Sequence, residues 1–220
     1  MSATKLRQVT PEIAIRTMLE ETLKLQRDAF LAAPSPSFAE RKDDLLTLQR
    51  FVRDNRDALV EAISKDYGNR SRHETLFAEI YSVIDGVDHT IKHLKDWMKP
   101  QTRKIDLKNF LGATNKVIPQ PLGVVGAIIP WNFPIWTSFN GLICTFAAGN
   151  RSMVKMSENS RHTARLLIEK IPDYFPQSKL AFFDETGGVG IEFSQLKFDH
   201  LIFTGSGQTG RAVMAAAAQN

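Results

Sequence analysis

Residues 121–158 read PLGVVGAIIPWNFPIWTSFNGLICTFAAGNRSMVKMSE, and no other stretch limits the fold so tightly. Val124, Val125, Ala127, Ile128 and Ile129 form an apolar run of strand length without polar alternation, the pattern of a parallel strand covered on both faces. The run stops at Pro130-Trp131-Asn132-Phe133-Pro134. Each proline drives the residue before it, Ile129 or Phe133, toward extended backbone, and Pro134 suits a first helical turn, where a missing N–H costs little. The spacing then predicts a helix ending at Gly149 and a short strand over 152–156.

Strand and helix keep alternating to the last residue. Ser160 caps a predicted helix through Leu166, Leu167 and Ile171 that Pro172 ends; Leu180–Phe183 is a strand, 190–196 a short helix and His200–Phe203 another strand. Gly205-Ser206-Gly207-Gln208-Thr209-Gly210 then opens a helix carrying Val213, Met214 and a run of alanines. Strict alternation of this kind predicts an α/β fold, a parallel sheet with helices on both faces and any ligand at the carboxyl ends of the strands.

The first hundred residues read as helices that pack on this sheet domain. Thr10-Pro11-Glu12 starts one, Ile15, Met18, Leu19, Thr22, Gln26, Ala29 and Phe30 hold helical spacing, and it ends before Pro34. A second opens at Ser37 or Phe38, carries Leu45, Leu48 and Val52, breaks near Asp54-Asn55 and resumes through Leu59 and Ile63 to Gly68. In a third, Ile80, Ile84, Val87, Ile91, Leu94 and Met98 make one apolar stripe. Asp85, His89, His93 and Asp96 step along the opposite side, so they read as a solvated face and not as metal ligands. Residues 101–120 read as a hairpin, its first strand over 103–109 and its second at Lys116-Val117-Ile118, around a turn at Gly112. An isolated two-stranded ribbon is marginal in water, which predicts a partner: another subunit or another part of a longer chain. The dinucleotide-binding domain proper is expected over 121–220.

Composition narrows the function classes. The 28 basic and 24 acidic residues give a net charge of +4, yet they are interleaved, as in RKDD and RDNRD, which points to no nucleic-acid partner. No apolar run reaches membrane-spanning length and MSATKLRQVTPE lacks a signal-peptide core, so the expectation is a cytoplasmic protein with no membrane partner. The single cysteine, Cys144, lies among Leu142, Ile143 and Phe146 and is expected to be an inert core residue.

Residues 205–210 match G-x-G-x-x-G between a strand and a helix, where bare N–H groups and the helix dipole suit a pyrophosphate. A plain tight turn explains the same glycines equally well, and the acidic residue expected about 20 positions further on does not fall within the sequence. Lys155 and Glu158 follow directly on a predicted strand at the same sheet edge, where a lysine and a carboxylate can hydrogen-bond ribose hydroxyls; solvated loop charges are the plainer alternative.

Taken together, PLGVVGAIIPWNFP, VKMSE and FTGSGQTG, with Thr186-Gly187-Gly188 and FDHLIFTGS, resemble the aldehyde dehydrogenase superfamily, most of all its class 3 and coniferyl aldehyde dehydrogenase branch. The resemblance implies a Rossmann-like cofactor domain and NAD(P)-dependent oxidation of an aldehyde, coniferyl or another aromatic one, to the acid. A cysteine thiolate attacks the aldehyde, hydride passes to the nicotinamide, and water activated by a glutamate cleaves the thioester. It implies Asn132 as the oxyanion-hole amide, Ile129 and Trp131 lining the cofactor cleft, and Lys155 and Glu158 on the adenosine ribose. Gly205, Ser206 and Gly210 fall to the pyrophosphate and Gly188 to the adenine end. NAD is the implied cofactor, with NADP as the alternative, and a homodimer or higher oligomer the implied assembly. In the family the nucleophile and general base lie downstream of the helix that here holds residues 215–220, so these 220 residues are expected to be the cofactor-binding portion, without turnover of their own. Two departures stand out: Met156 and Ser160 replace usual prolines, and Gly207 follows Gly-Ser where threonine is usual. A non-catalytic nucleotide-binding module and a related acyl-phosphate reductase remain the alternative functions.

Overall fold

Helical spacing between residues 15 and 98 produces five α-helices. In the computed structural model, which describes residues 11–106 and 108–220, they are α1 (Pro11–Ala32), α2 (Phe38–Asp54), α3 (Arg56–Tyr67), α4 (Arg72–Thr75) and α5 (Ser82–Trp97). A π-helical segment, Leu76–Tyr81, joins α4 to α5. The Thr10 cap expected for α1 lies outside the described residues. At α2, the Ser37 hydroxyl accepts from Glu40 N while the Glu40 carboxylate accepts from Ser37 N, a capping box that fixes where the helix starts. Asn55 separates α2 from α3, as the sequence suggests. The buried face of α5 is Val83, Val87, Thr90 and Leu94, with Ile84, Ile91 and Met98 at its margin. The expected stripe of Ile80, Ile84, Val87, Ile91, Leu94 and Met98 thus faces the core, broadened by Val83 and Thr90. Asp85, His89 and Asp96 lie on the exposed side.

The hairpin pairs β1 (Gln101–Arg103) with β2 (Asn115–Val117), antiparallel, Gln101 facing Val117. Its first strand is earlier and shorter than the 103–109 expected. The Asp106 carboxylate accepts from Lys108 N (3.0 Å) and Asn109 Nδ2 (2.6 Å), local bonds that turn the chain where a ladder would have run.

The remaining elements alternate: β3 (Val124–Ile128), α6 (Pro134–Ala147), β4 (Arg151–Lys155), α7 (Arg161–Lys170), a 3₁₀ turn (Ile171–Asp173), β5 (Leu180–Phe183), α8 (Val189–Ser194), β6 (His200–Phe203) and α9 (Gly207–Ala217). The four strands are all parallel, in the order β5-β4-β3-β6. One sheet face, through Ala127, Val154 and Phe182, shares a core with Leu48, Phe51, Phe139, Phe146 and Leu167 from α2, α6 and α7. The other, through Val124, Ile128, Met153 and Phe183, packs on Leu19 and Leu23 of α1 and Val189 and Phe193 of α8. Burial on both faces is the physical reason these strands read as unbroken apolar runs. Met156 is fully buried in the first of these cores. The chain is an α/β protein with a Rossmann-like parallel sheet, preceded by a helical region and a hairpin. No described helix is long and apolar enough to cross a membrane.

Two further local expectations fail. Cys144 is exposed, not in the core: Leu142, Ile143 and Phe146 point inward, whereas Asn140, Cys144 and Ala148, four apart, share the outer side of α6. A single step in sequence turns a helix by about 100°, so apolar sequence neighbours do not place a residue inside. Ser160 occupies the N-cap position of α7 but makes no capping bond, and its buried hydroxyl has no partner among the described residues. The cap comes from Asp66 of α3, whose carboxylate accepts from His162 N (2.7 Å), Thr163 N (2.9 Å) and Thr163 Oγ1 (2.7 Å).

Candidate functional site: the carboxyl edge of the sheet

The register brings four strand ends level. Lys155 pairs with Ile128 on one side and Phe183 on the other, and Ile128 pairs with Phe203, so the chain leaves β3, β4, β5 and β6 along one edge. From β3 the order runs outward through β4 to β5, and only β6 lies on the other side of β3. Strand order therefore reverses between β3 and β6, the crevice where open parallel sheets bind ligands. The turn after β3, Pro130-Trp131-Asn132-Phe133, and the glycine turn before α9 flank it.

The proline turn is held from beneath by buried charge. Glu79, from the π segment, is fully buried; its Oε2 accepts from Ile135 N (2.7 Å) and Trp136 N (3.3 Å) and so caps α6. Its Oε1 takes Arg70 Nη1 at 2.7 Å. Burial pushes the Glu79 carboxyl up, opposed by the Ile135 amide and the Arg70 guanidinium. The guanidinium lies over the rings of Phe133 (4.7 Å) and Tyr67 (4.8 Å) and donates to the Asn132 carbonyl at 3.1 Å, an oxygen that also accepts from the Tyr67 hydroxyl. The Asn132 backbone is thereby fixed while its residue is exposed at the edge. Its side-chain amide has no hydrogen-bond partner among the described residues and is left to donate elsewhere. Trp131 is half exposed and leans on Tyr67, ring centroids 5.8 Å apart. Ile129 differs: it is 3% exposed and belongs to the core beneath the edge, its amide bonded to the Lys155 carbonyl (3.0 Å).

At the end of β4, Lys155 is 7% exposed and ion-paired with Glu185. Glu158 is exposed; its Oε2 accepts from Ser157 Oγ (3.2 Å), and its carbonyl accepts from Arg161 Nε (3.2 Å). Gly188 takes a left-handed conformation (φ 91°) at the start of α8. Ser206 caps α9, accepting from Thr209 N at 3.2 Å, and of the first amides of this 11-residue helix those of Gly207 and Gln208 are left open at the edge. A Cβ on Gly205 would stand 2.6 Å from the Phe203 ring, so the turn admits no side chain there and leaves the backbone bare. Glycine-bare backbone and a helix N-terminus with a lysine as donors, and a carboxylate as acceptor, on one edge are what a dinucleotide needs, and the residues present fit one.

The structure thus brings Trp131, Asn132, Glu158, Gly188, Gly205 and Ser206 in loops or turns, Lys155 at the end of β4 and Gly210 in the first turn of α9 to one sheet edge, and leaves Ile129 below them. Cys144 is elsewhere. It lines an apolar cavity of about 290 Å³ with Leu94, Trp97 and Met98, beside Gln120 and Ala148, which precede β3 and β4 at the opposite edge. Sequence reasoning missed Tyr67, Arg70, Glu79 and Glu185. Only Glu79 leaves a trace: a carboxylate four residues before Val83, on the apolar side of its helix.

The aldehyde dehydrogenase family model matches residues 9–220. The chain belongs to the aldehyde dehydrogenase family. A probable coniferyl aldehyde dehydrogenase of Pseudomonas aeruginosa is 44% identical over 202 residues, covering 92% of this chain and 42% of that protein. A coniferyl aldehyde dehydrogenase of a Pseudomonas species is 44% identical over 167 residues, 76% of this chain and 34% of that protein. AldH of Staphylococcus aureus, solved in a substrate-bound state, superposes with a TM-score of 0.87 at 25% identity, covering 92% of this chain and 44% of that one. The chain therefore spans less than half the length of the relatives it matches.

Proposed function

We infer that the chain is the cofactor-binding portion of an aldehyde dehydrogenase that oxidises coniferyl or another aromatic aldehyde to its acid. The observation that carries this reading is the alignment of four strand ends, which sets Asn132 and the Lys155–Glu158 pair on one edge. Residues 121–220 would be the dinucleotide-binding part, with the helices between Pro11 and Trp97 packed on it and a bridging hairpin within 101–120. NAD, with NADP as the alternative, supplies the hydride acceptor when bound. Lys155 donates to ribose hydroxyls and Glu158 accepts from them. The first amides of α9 and the bare backbone at Gly205 and Gly210 face the pyrophosphate, with Gly188 toward the adenine and Trp131 along the cleft. The core position of Ile129 gives it a supporting part under that cleft. The Asn132 amide donates to the aldehyde oxygen as negative charge builds on it.

The nucleophilic cysteine and general-base glutamate come from sequence beyond these 220 residues, since Cys144 lies at the far edge of the sheet. Exposed Phe110, Leu111, Val117 and Ile118 on the hairpin support a homo-oligomer in a cytoplasmic enzyme. The test is NAD reduction with coniferyl aldehyde by the enzyme carrying this chain together with its nucleophile. Turnover is expected to fall about 10²- to 10³-fold on Asn132→Ala. An unchanged rate in that variant would remove the role assigned to the edge.

A further inference from the structure

We propose that Glu185, not Glu158 alone, sets the preference of this site for NAD over NADP, by holding a second carboxylate against the ribose lysine; this rests on the nucleotide site proposed above. Lys155 is nearly buried, and its Nζ already has Glu185 as an ion-pair partner. The pair is built, not incidental. Gly187 (φ 62°) and Gly188 (φ 91°) double the chain back after β5, and the Gly190 amide donates to both carboxylate oxygens, at 3.2 and 3.0 Å. A Cβ on Gly190 would lie 2.6 Å from Glu185 Oε2 and 3.2 Å from Lys155 Nζ, so the ion pair occupies space that only glycine leaves open.

The consequence for a ligand follows from the ammonium group. Lysine has three N–H donors; Glu185 takes one and two remain for other acceptors. A ribose hydroxyl suits them, because a hydroxyl accepts from the ammonium and can donate its own proton to a neighbouring carboxylate. A 2′-phosphate does not. Two acceptors on one ammonium nitrogen, each about 2.8 Å from it, stand roughly 4 to 5 Å from one another, so a dianionic phosphate on Lys155 would face Glu185 at close quarters. With Glu158 on the same edge, one lysine would answer two carboxylates and the phosphate. Arg161, another cation here, has its Nε on the Glu158 carbonyl.

Calorimetric titration of the chain with NAD and with NADP tests this, the readout being the ratio of the two dissociation constants. Wild type is expected to favour NAD, and Glu185→Gln, which keeps an acceptor for the Gly190 amide, to shift the ratio toward NADP by about tenfold. Gly190→Ala changes no charge but drives the carboxylate off Lys155, and is expected to shift the ratio the same way. A ratio within twofold of wild type in Glu185→Gln would overturn the proposal. Failure of the underlying site looks different: neither nucleotide binds the wild type, or Lys155→Met leaves both affinities as they were, and either result would overturn the site and this proposal together.

Discussion

Arg70 shows how a single side chain serves the site without facing it. Its guanidinium is 3% exposed, lies between two aromatic rings, neutralises the buried Glu79 and holds the carbonyl of Asn132. Removing one partner of a buried ion pair strands the other, so Arg70→Ala is expected to destabilise the fold by about 3–5 kcal/mol in urea unfolding. Glu79→Gln in that background restores part of the loss, because an amide is less costly to bury than a carboxylate and can still accept from Ile135. Beyond the place of Glu79 on an apolar helix face, none of this is legible in sequence. Arg70 and Asn132 are far apart along the chain, and a charged residue in a polar segment reads as solvated until the fold closes over it. Asn132 itself is legible, because two prolines frame it and the turn they enforce is local. The misreading of Cys144 has the same root from the other side: its neighbours are apolar, but helical phase, not neighbourhood, decides which way it points.

At the scale of elements, periodicity carries most of the information and caps carry the rest. The α2–α3 break, the four parallel strands and the helix after Pro134 all follow from local pattern, whereas the start of α7 depends on a carboxylate from α3. Asp66→Ala is therefore expected to cost about 0.5–2 kcal/mol, the range for a lost N-cap, while Ser160→Ala costs less because its hydroxyl has no bond to lose. Equilibrium unfolding of the two variants separates these outcomes. The tie between α3 and α4 is electrostatic: hydrogen bonds from Arg56 and Arg72 lower the Asp57 carboxyl from 3.8 to about 2. A carboxyl depressed in the folded state stabilises above its unfolded value and loses that contribution as pH falls through the folded one. The stability difference between wild type and Asp57→Asn is thus expected to vanish as pH drops from 3.8 to about 2, and to shrink in high salt because the group is exposed. A difference that persists at the lowest pH would assign Asp57 a role other than charge. The hairpin is the element least legible in sequence, since Asp106 and Asn109 bond locally and cut the first strand short.

For the whole molecule, what matters is that residues far apart along the chain arrive at one edge. Sequence alternation foretells a parallel sheet but not its order, and it is the order β5-β4-β3-β6 that puts the proline turn and the glycine turn side by side. The glycine motif alone was as compatible with a plain turn as with a nucleotide. Register decides its company: Phe203 pairs with Ile128, and Ile128 with Lys155, so the turn stands next to the lysine's strand by way of β3. The same geometry separates two surfaces, the carboxyl edge with its charged and glycine-bare loops and the apolar cavity beside Cys144 at the amino edge. Hydrogen–deuterium exchange of the chain with and without NAD discriminates between them directly. Slowed exchange is expected in the loops after all four strands, at 129–133, 156–159, 184–190 and 204–210; protection confined to the segments around Trp97 and Cys144, or none at all, would contradict the placement of the nucleotide at the carboxyl edge.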